Sequence, residues 1–471
     1  MLEETTFRDF LSFAGLDVKP HQEKAVEWML KREKNPWMGV HGGIIADEMG
    51  LGKTIMMIGT ILANVTSRTL IVLPVALLQQ WRREIERTTG IKPLLYHGTI
   101  KAQTPFELLN LATVVLTTYG EIQISTDEFN TKPPSILHSV QWGRIVFDEA
   151  HHMRNMRTNK FKGCLSLKSK IRWMLTGTPI QNYKTDLFAL SHVLGFDDSF
   201  YSSQTHTIIE NCMLRRTKES VGIRISKLHL KTINIPWNSH FEEVLAGDIH
   251  NGISGIDKGT LGFVDGVCAE NQNSKGRKLL LMLRAKQMCI YPKLLQHKFN
   301  QYRDAGFISP YDEKQKDEVW GSSKLDAIST LLIKRKNNDN RKIVFCQFHK
   351  EIDEIQKRCV ESGMSVKTID GRLTSREKSH TMIAPWPEVL ILQVNTCCEG
   401  LNLQQFNEIY FTSPHWNPAV EEQAIARCHR IGQKKDVFVF RFNMISLNEI
   451  TSSQDTYCVE VQDKKRKLYV Y

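Results

Sequence analysis

Hydrophobic positions alternate between two rhythms along this chain. Short, mostly apolar runs at Gly43–Ala46, Thr69–Leu73, Ala112–Leu116, Arg144–Phe147 and Trp173–Leu175 have the character of strands covered on both faces. Between them lie stretches with helical spacing. Residues 21–33 contain no breaker and set Ala25, Val26, Met29 and Leu30 at helical intervals, and the apolar run from Thr54 to Val65 reads as a second helix. Strands alternating with helices predict an α/β fold with a parallel, doubly wound sheet. The rhythm resumes near Ser323, with strands predicted at Lys342–Phe345, Val366–Ile369, Val389–Val394, Glu408–Phe411 and Val437–Phe442. Between the two patterns, Phe241–Leu245 and Leu279–Met288 read as helical, and the polar, glycine-bearing stretch 251–277 reads as a flexible insertion. The predicted architecture is two tandem doubly wound lobes, 1–235 and 321–471, joined by a helical, partly mobile middle at 236–320.

Composition narrows the function. Hydrophobic residues make up 41% of the 471, which excludes a chain disordered throughout. Lys and Arg number 62 against 51 Asp and Glu, a net charge of +11 that favours an acidic polymer as partner, nucleic acid above all. No apolar run approaches the ~18–20 residues of a membrane helix, so no membrane partner is expected. The acidic start MLEETTFRDF lacks the order of a secretion signal. The cysteines are scattered without a CxxC pair, which excludes the usual zinc-finger spacings and gives no sign of a disulfide framework. That usage points to a reducing interior compartment.

Two motifs carry chemistry. Residues 47–54, DEMGLGKT, follow a predicted strand and open a helix, the context of a phosphate-binding loop. Backbone N–H groups from Gly50 to Thr54 are placed to wrap a β-phosphate, Lys53 to neutralise the β/γ-phosphates and Thr54 to hold Mg²⁺. Asp47 stands where the common consensus has glycine. The second motif, IVFDEAH at 145–151, ends a predicted strand in an acidic pair. Asp148 is expected to bind Mg²⁺ through water and Glu149 to orient and polarise the attacking water. Together they predict ATP and Mg²⁺ as cofactors of an ATP hydrolase.

DEMGLGKT, DEAH, LTGTPIQN at 175–182 and QAIARCHRIGQ at 423–433, taken together, closely resemble the Swi/Snf-type helicase-like ATPases of helicase superfamily two. HQEKAVEWM at 21–29 is similar to that family's adenine-recognition helix, which implies an adenine-reading role for Gln22. TLIVLPVALLQQW at 69–81 resembles motif Ia, and LTTYG at 116–120 the next DNA-facing motif, implicating Thr117 and Thr118. MLRRTK at 213–218 resembles the end of the first lobe, and SSKLDAI and KIVFCQF the start of the second. The phosphate loop of the family covers Asp47, Glu48, Met49, Gly50, Leu51, Gly52, Lys53 and Thr54 here.

The resemblance implies two RecA-like lobes and a motor on double-stranded DNA that remodels or displaces DNA-bound proteins without separating strands. Arg427 and Arg430, three apart on one face of a predicted helix, match the family's arginine fingers. Thr176 and Thr178 of motif III and His151 of DEAH take coupling roles, and Asn402 of EGLNL takes a DNA-backbone contact. Trp416 of SPHWNP is placed at the DNA groove. The chain departs from the family at Cys397 and Cys398, where two glycines are usual. Without metal spacing in the middle region, no RING-type ubiquitin ligase is expected, and targeting falls to a partner protein or to the insertion. The basic run Lys464–Lys467 fits either nuclear import or the end of a closing helix, and the implied location is the nucleus. Two alternatives remain open: a strand-separating DNA or RNA helicase, and a non-catalytic DNA-binding scaffold.

Overall fold

The computed structural model describes residues 6–125, 134–177, 184–254, 261–271, 273–308, 320–381, 385–394, 402–448 and 451–468. The chain divides into two units, residues 6–224 and 225–467.

The first unit is built on seven parallel strands: β1 (His41–Ile45), β2 (Thr69–Leu73), β3 (Leu94–Tyr96), β4 (Val114–Thr118), β5 (Gln141–Asp148), β6 (Lys168–Leu175) and β7 (Met213–Leu214). Their spatial order is β3-β4-β2-β5-β6-β1-β7, a doubly wound sheet with apolar clusters on both faces. On one face pack α1 (Phe7–Phe13), α2 (Pro20–Lys34), α3 (Lys53–Ala63) and α4 (Leu78–Thr89). Continuous apolar strands such as Thr69–Leu73 form here because both faces are covered; all five residues are buried. Within this core, Glu33 of α2 is fully paired: Arg144 of β5 donates to both carboxylate oxygens at 2.6 Å, Trp173 Nε1 at 2.8 Å and Asn64 Nδ2 at 2.6 Å. A buried ion pair is tolerated when its remaining lone pairs are satisfied in this way.

The second unit carries six parallel strands: β8 (Leu228–Ile235), β9 (Lys342–Cys346), β10 (Val366–Ile369), β11 (Val389–Gln393), β12 (Glu408–Phe411) and β13 (Val437–Met444), ordered β10-β11-β9-β12-β13-β8. The sequence division places residues 228–235 in the first lobe, but β8 pairs with β13 from Leu228↔Val437 to Ile235↔Met444. The middle region also belongs to this unit.

Part of the stretch read as a flexible insertion is helical, which corrects the sequence reading. Helices at His240–Ser254, Phe263–Glu270 and Ser274–Ile290 share a core containing Phe241, Leu245, Phe263, Val267, Leu281 and Tyr302. Gly266, read as a loop signal, lies against the ring of Tyr302, where an added Cβ would stand 2.4 Å away. Glycine here marks close packing. Residues 255–260 and 272 lie outside the described residues.

Of the five basic residues at 334–342, Lys334 and Arg341 are exposed, whereas Arg335, Lys336 and Lys342 are drawn into the fold. Arg335 pairs with the buried carboxylate of Glu408, and the ammonium of Lys342, a fully buried residue, donates to Asn340 O at 2.8 Å. Among the described residues, no helix is long and apolar enough to cross a membrane.

Candidate nucleotide site and nucleic-acid motifs

Three neighbouring strands set the site. β6 lies between β1 and β5, and its Leu175 is in register with Ile45 on one side and with Asp148 on the other. The phosphate loop leaves β1 just after Ile45, the acidic pair ends β5, and motif III follows β6. The three motifs therefore emerge side by side at the carboxyl edge of the sheet, where doubly wound folds bind ligands.

The loop is shaped by glycine. Gly52 has φ 91° and ψ 34°, and a side chain there would meet Gln22 Nε2 at 2.2 Å. α3 then starts at Lys53, directly after Gly52, which has no side chain to cap it, so the helix's first N–H groups, which have no intrahelical partners, lie next to the loop. Lys53 Nζ donates to Asp47 O at 2.6 Å. Thr54 follows in the first turn of α3.

α2 is fastened to this loop: Gln22 Nε2 donates to Leu51 O at 3.0 Å, and His21 Nε2 lies 3.2 Å from the same oxygen. Burial pushes His21 below its ordinary pKa. Gln22, placed at adenine by resemblance, thus uses its amide N–H on the loop itself.

The two acids of the loop are held from β7 and the segment after it. Arg216 donates to both carboxylate oxygens of Asp47 and to His21 O. Lys218 Nζ donates to Glu48 Oε1 at 2.6 Å, and its backbone N–H to Oε2 at 2.8 Å. The backbone joins in, with Ala46 N to Leu214 O at 2.7 Å and Glu48 N to Arg216 O at 2.9 Å. Sequence reasoning assigned no role to Arg216 or Lys218. The available signal was the loop acid Asp47, which burial obliges to find a cation, followed directly by a second acid, Glu48.

At the end of β5, Asp148 Oδ2 accepts Trp81 Nε1–H at 2.7 Å and Oδ1 accepts Glu149 N–H at 2.9 Å. Burial first, then the neighbouring Glu149 charge, push Asp148 up to about 6, against the pull of Trp81, the Glu149 N–H and Lys53. Glu149 sits at φ 47°, ψ 52°, a left-handed conformation uncommon outside glycine. Its Oε2 lies 3.3 Å from His151 Nδ1, and the His151 ring stacks on His152 at 4.7 Å. Thr176 is fully buried, its N–H bonded to Ile45 O at 3.0 Å. A Cβ on Gly177 would stand 3.0 Å from Met49 Cγ and 3.8 Å from Lys53 Nζ, so motif III lies against the loop. Thr178 lies outside the described residues.

Gln22, residues 47–54, Asp148, Glu149, His151 and Thr176 are thus brought to one edge of the first unit. The positive-φ loop, the helix start behind Gly52, the adjacent ammonium and the buried carboxylate fit a nucleoside triphosphate with its magnesium ion. Thr117 and Thr118 depart from expectation. Both are buried, the Thr117 hydroxyl donating to Tyr96 O at 2.9 Å, so their side chains serve the sheet and do not face a DNA backbone.

The second unit carries the remaining residues. Arg427 lies in the last turn of the helix Pro418–Cys428, which opens on an Asn417 cap. Arg430 lies beyond that helix, because His429 caps it and Arg430 N bonds Cys428 O at 3.2 Å. The expectation that both share one helical face is corrected: they flank a helix end. Burial, then the charge of Arg427, lower the pKa of Arg430. Asn402 is exposed, its Oδ1 3.4 Å from Gln404 N. Cys397 and Cys398 lie outside the described residues. Trp416 is half-buried, edge-on to Tyr457 at 5.7 Å, and its carbonyl accepts Lys465 Nζ at 2.8 Å. The basic run 464–467 is therefore part of the helix Gln454–Leu468, which packs against the SPHWNP segment.

Comparison with known proteins agrees with these motifs. The profile of the SNF2-related domain matches residues 21–294, and that of the helicase conserved C-terminal domain matches residues 323–432. The chain is 27% identical to the Saccharomyces cerevisiae "ISWI chromatin-remodeling complex ATPase ISW1", over 93% of this chain and 39% of that protein. It is 26% identical to the "Probable global transactivator" of Orgyia pseudotsugata multicapsid polyhedrosis virus, over 94% and 89%. It is 25% identical to the human "Helicase-like transcription factor", over 85% and 50%. The chain thus spans about two fifths of the yeast relative and half of the human one. Among solved structures, the Sulfolobus solfataricus SWI2/SNF2 ATPase core in complex with dsDNA matches with TM-score 0.41 and 22% identity, over 91% of this chain and 88% of that chain. With the family profile covering more than half of its length, the chain belongs to the SNF2-related family of helicase-like ATPases.

Proposed function

We propose that this protein hydrolyses ATP to move along double-stranded DNA without separating its strands, and so remodels or displaces DNA-bound proteins. The observation that carries the nucleotide half is the register of Ile45 and Asp148 on the two sides of Leu175, which aligns phosphate loop, motif III and acidic pair. Lys53 neutralises β/γ-phosphate charge, Thr54 and Asp148 would hold magnesium, and Glu149 orients the attacking water. Magnesium bound with the nucleotide supplies the largest positive charge of the site. By the family resemblance, Arg427 and Arg430 provide charge for the transition state, a contribution worth roughly 10³–10⁵ in rate in related chemistry.

The DNA half is supported by the net charge of +11 and by relatives whose names include a chromatin-remodeling ATPase. A role on chromatin supports a nuclear location, with targeting supplied by a partner protein as part of the same proposal. The test is ATP turnover measured with no nucleic acid, duplex DNA, single-stranded DNA and RNA in turn. Duplex DNA is expected to stimulate turnover most. Stimulation by RNA or single strands alone would overturn the duplex reading.

A further inference from the structure

Three adjacent strands of the first unit converge on Asp148. β5 ends in it, the residue after β4 is Tyr119, and the chain after β2 turns into α4, which carries Trp81. The Tyr119 hydroxyl donates to Asp148 O at 2.8 Å, so the backbone is anchored as well as the carboxylate. Trp81 Nε1–H reaches Oδ2 at 2.7 Å, and the residue is 1% exposed, so no solvent molecule replaces that bond. A buried indole N–H requires a partner, and a backbone carbonyl suffices: Trp142 donates to Leu137 O at 3.0 Å. Trp81 donates instead to a carboxylate that the family chemistry requires. A carboxylate oxygen accepts two bonds. The donations from Trp81 and Glu149 N–H leave one acceptor site on each oxygen and fix the plane of the group between them.

We propose that Trp81 is a positioning residue of the nucleotide site, whose indole N–H holds the Asp148 carboxylate in the orientation used to bind hydrated magnesium. This rests on the nucleotide reading above. Groups that orient a metal-binding side chain typically contribute 10–100-fold to metal affinity or activity. Removing the donor while keeping an aromatic ring should therefore weaken the response to magnesium and leave the phosphate loop untouched.

The test compares wild type with Trp81→Phe, after thermal melting shows the variant folded. Binding of a fluorescent ATP analogue is titrated in chelator and then across magnesium concentrations. Affinity in chelator is expected to be unchanged, while the magnesium concentration for half-maximal tightening rises about tenfold. An unchanged magnesium requirement in the folded variant overturns the role of Trp81 and leaves the nucleotide reading standing. Wild type that binds no nucleotide, or binds it without regard to magnesium, overturns both. Should Trp81→Phe fail to fold, 5-fluorotryptophan placed at position 81 alone keeps the donor and reports on the bond. Its ¹⁹F signal is expected to shift when magnesium is added to the nucleotide-bound protein and to stay in place when nucleotide is added in chelator. No magnesium-dependent shift overturns the proposal.

Discussion

The guanidinium of Arg216 clasps the buried carboxylate of Asp47 through both oxygens, joining the segment after β7 to the first residue of the phosphate loop. Asp47 is the position at which the loop departs from the glycine of the common consensus, and its side chain is fully buried. A buried charge stripped of its partner costs about 3–5 kcal/mol. Arg216→Ala is therefore expected to lower unfolding stability by about that amount. Adding Asp47→Ala should recover part of the loss, because the two residues share one interaction. Urea unfolding of both singles and the double measures it. Strictly additive losses would show that the pair is not coupled.

Lys53→Ala is expected to abolish hydrolysis, because it removes the charge that faces the β/γ-phosphates. Glu149→Gln should bind ATP as wild type does and stop turning it over, since the amide cannot polarise water. Nucleotide binding and phosphate release, measured on the same preparations, check both. Turnover at the wild-type rate in Glu149→Gln contradicts the assignment.

The nucleotide loop was legible in the sequence because its signals are local: an apolar strand, glycines, then GKT at a helix start. Arg216 and Lys218 were not, because their partners Asp47 and Glu48 lie far away in the chain. The same reason hid the joining of β8 to the second sheet: most of its residues are exposed, as on an edge strand, and nothing local names the strand it pairs with. Thr117 and Thr118 show the limit of motif transfer. A motif fixes where the backbone runs, while the sheet decides which side chains face inward. Arg430 shows the limit of spacing, since an interval of three indicates one face only where the helix continues.

Trp416→Ala is expected to keep ATP binding and much of the DNA-stimulated hydrolysis while losing most translocation. Its edge-on contact with Tyr457 contributes only about 0.5–1.5 kcal/mol beyond area burial, so the fold should survive. Thermal melting beside ATPase and translocation assays decides between the two roles. Loss of every activity together with a large drop in melting temperature would make Trp416 a structural residue.

Duplex binding should weaken steeply with salt, with a log–log slope of about −0.9 for each phosphate neutralised. Filter binding across a salt series measures it. An affinity indifferent to salt removes the electrostatic basis of DNA recognition.

The central claim is movement along duplex DNA without strand separation. Its most direct test is displacement of a third strand from a triplex, run beside separation of a plain duplex, with ATP present and with Glu149→Gln as the control. Wild type is expected to release the third strand only with ATP and to leave the duplex paired, and Glu149→Gln to release nothing. Separation of the plain duplex, or a third strand that stays bound while ATP is consumed, would contradict the account.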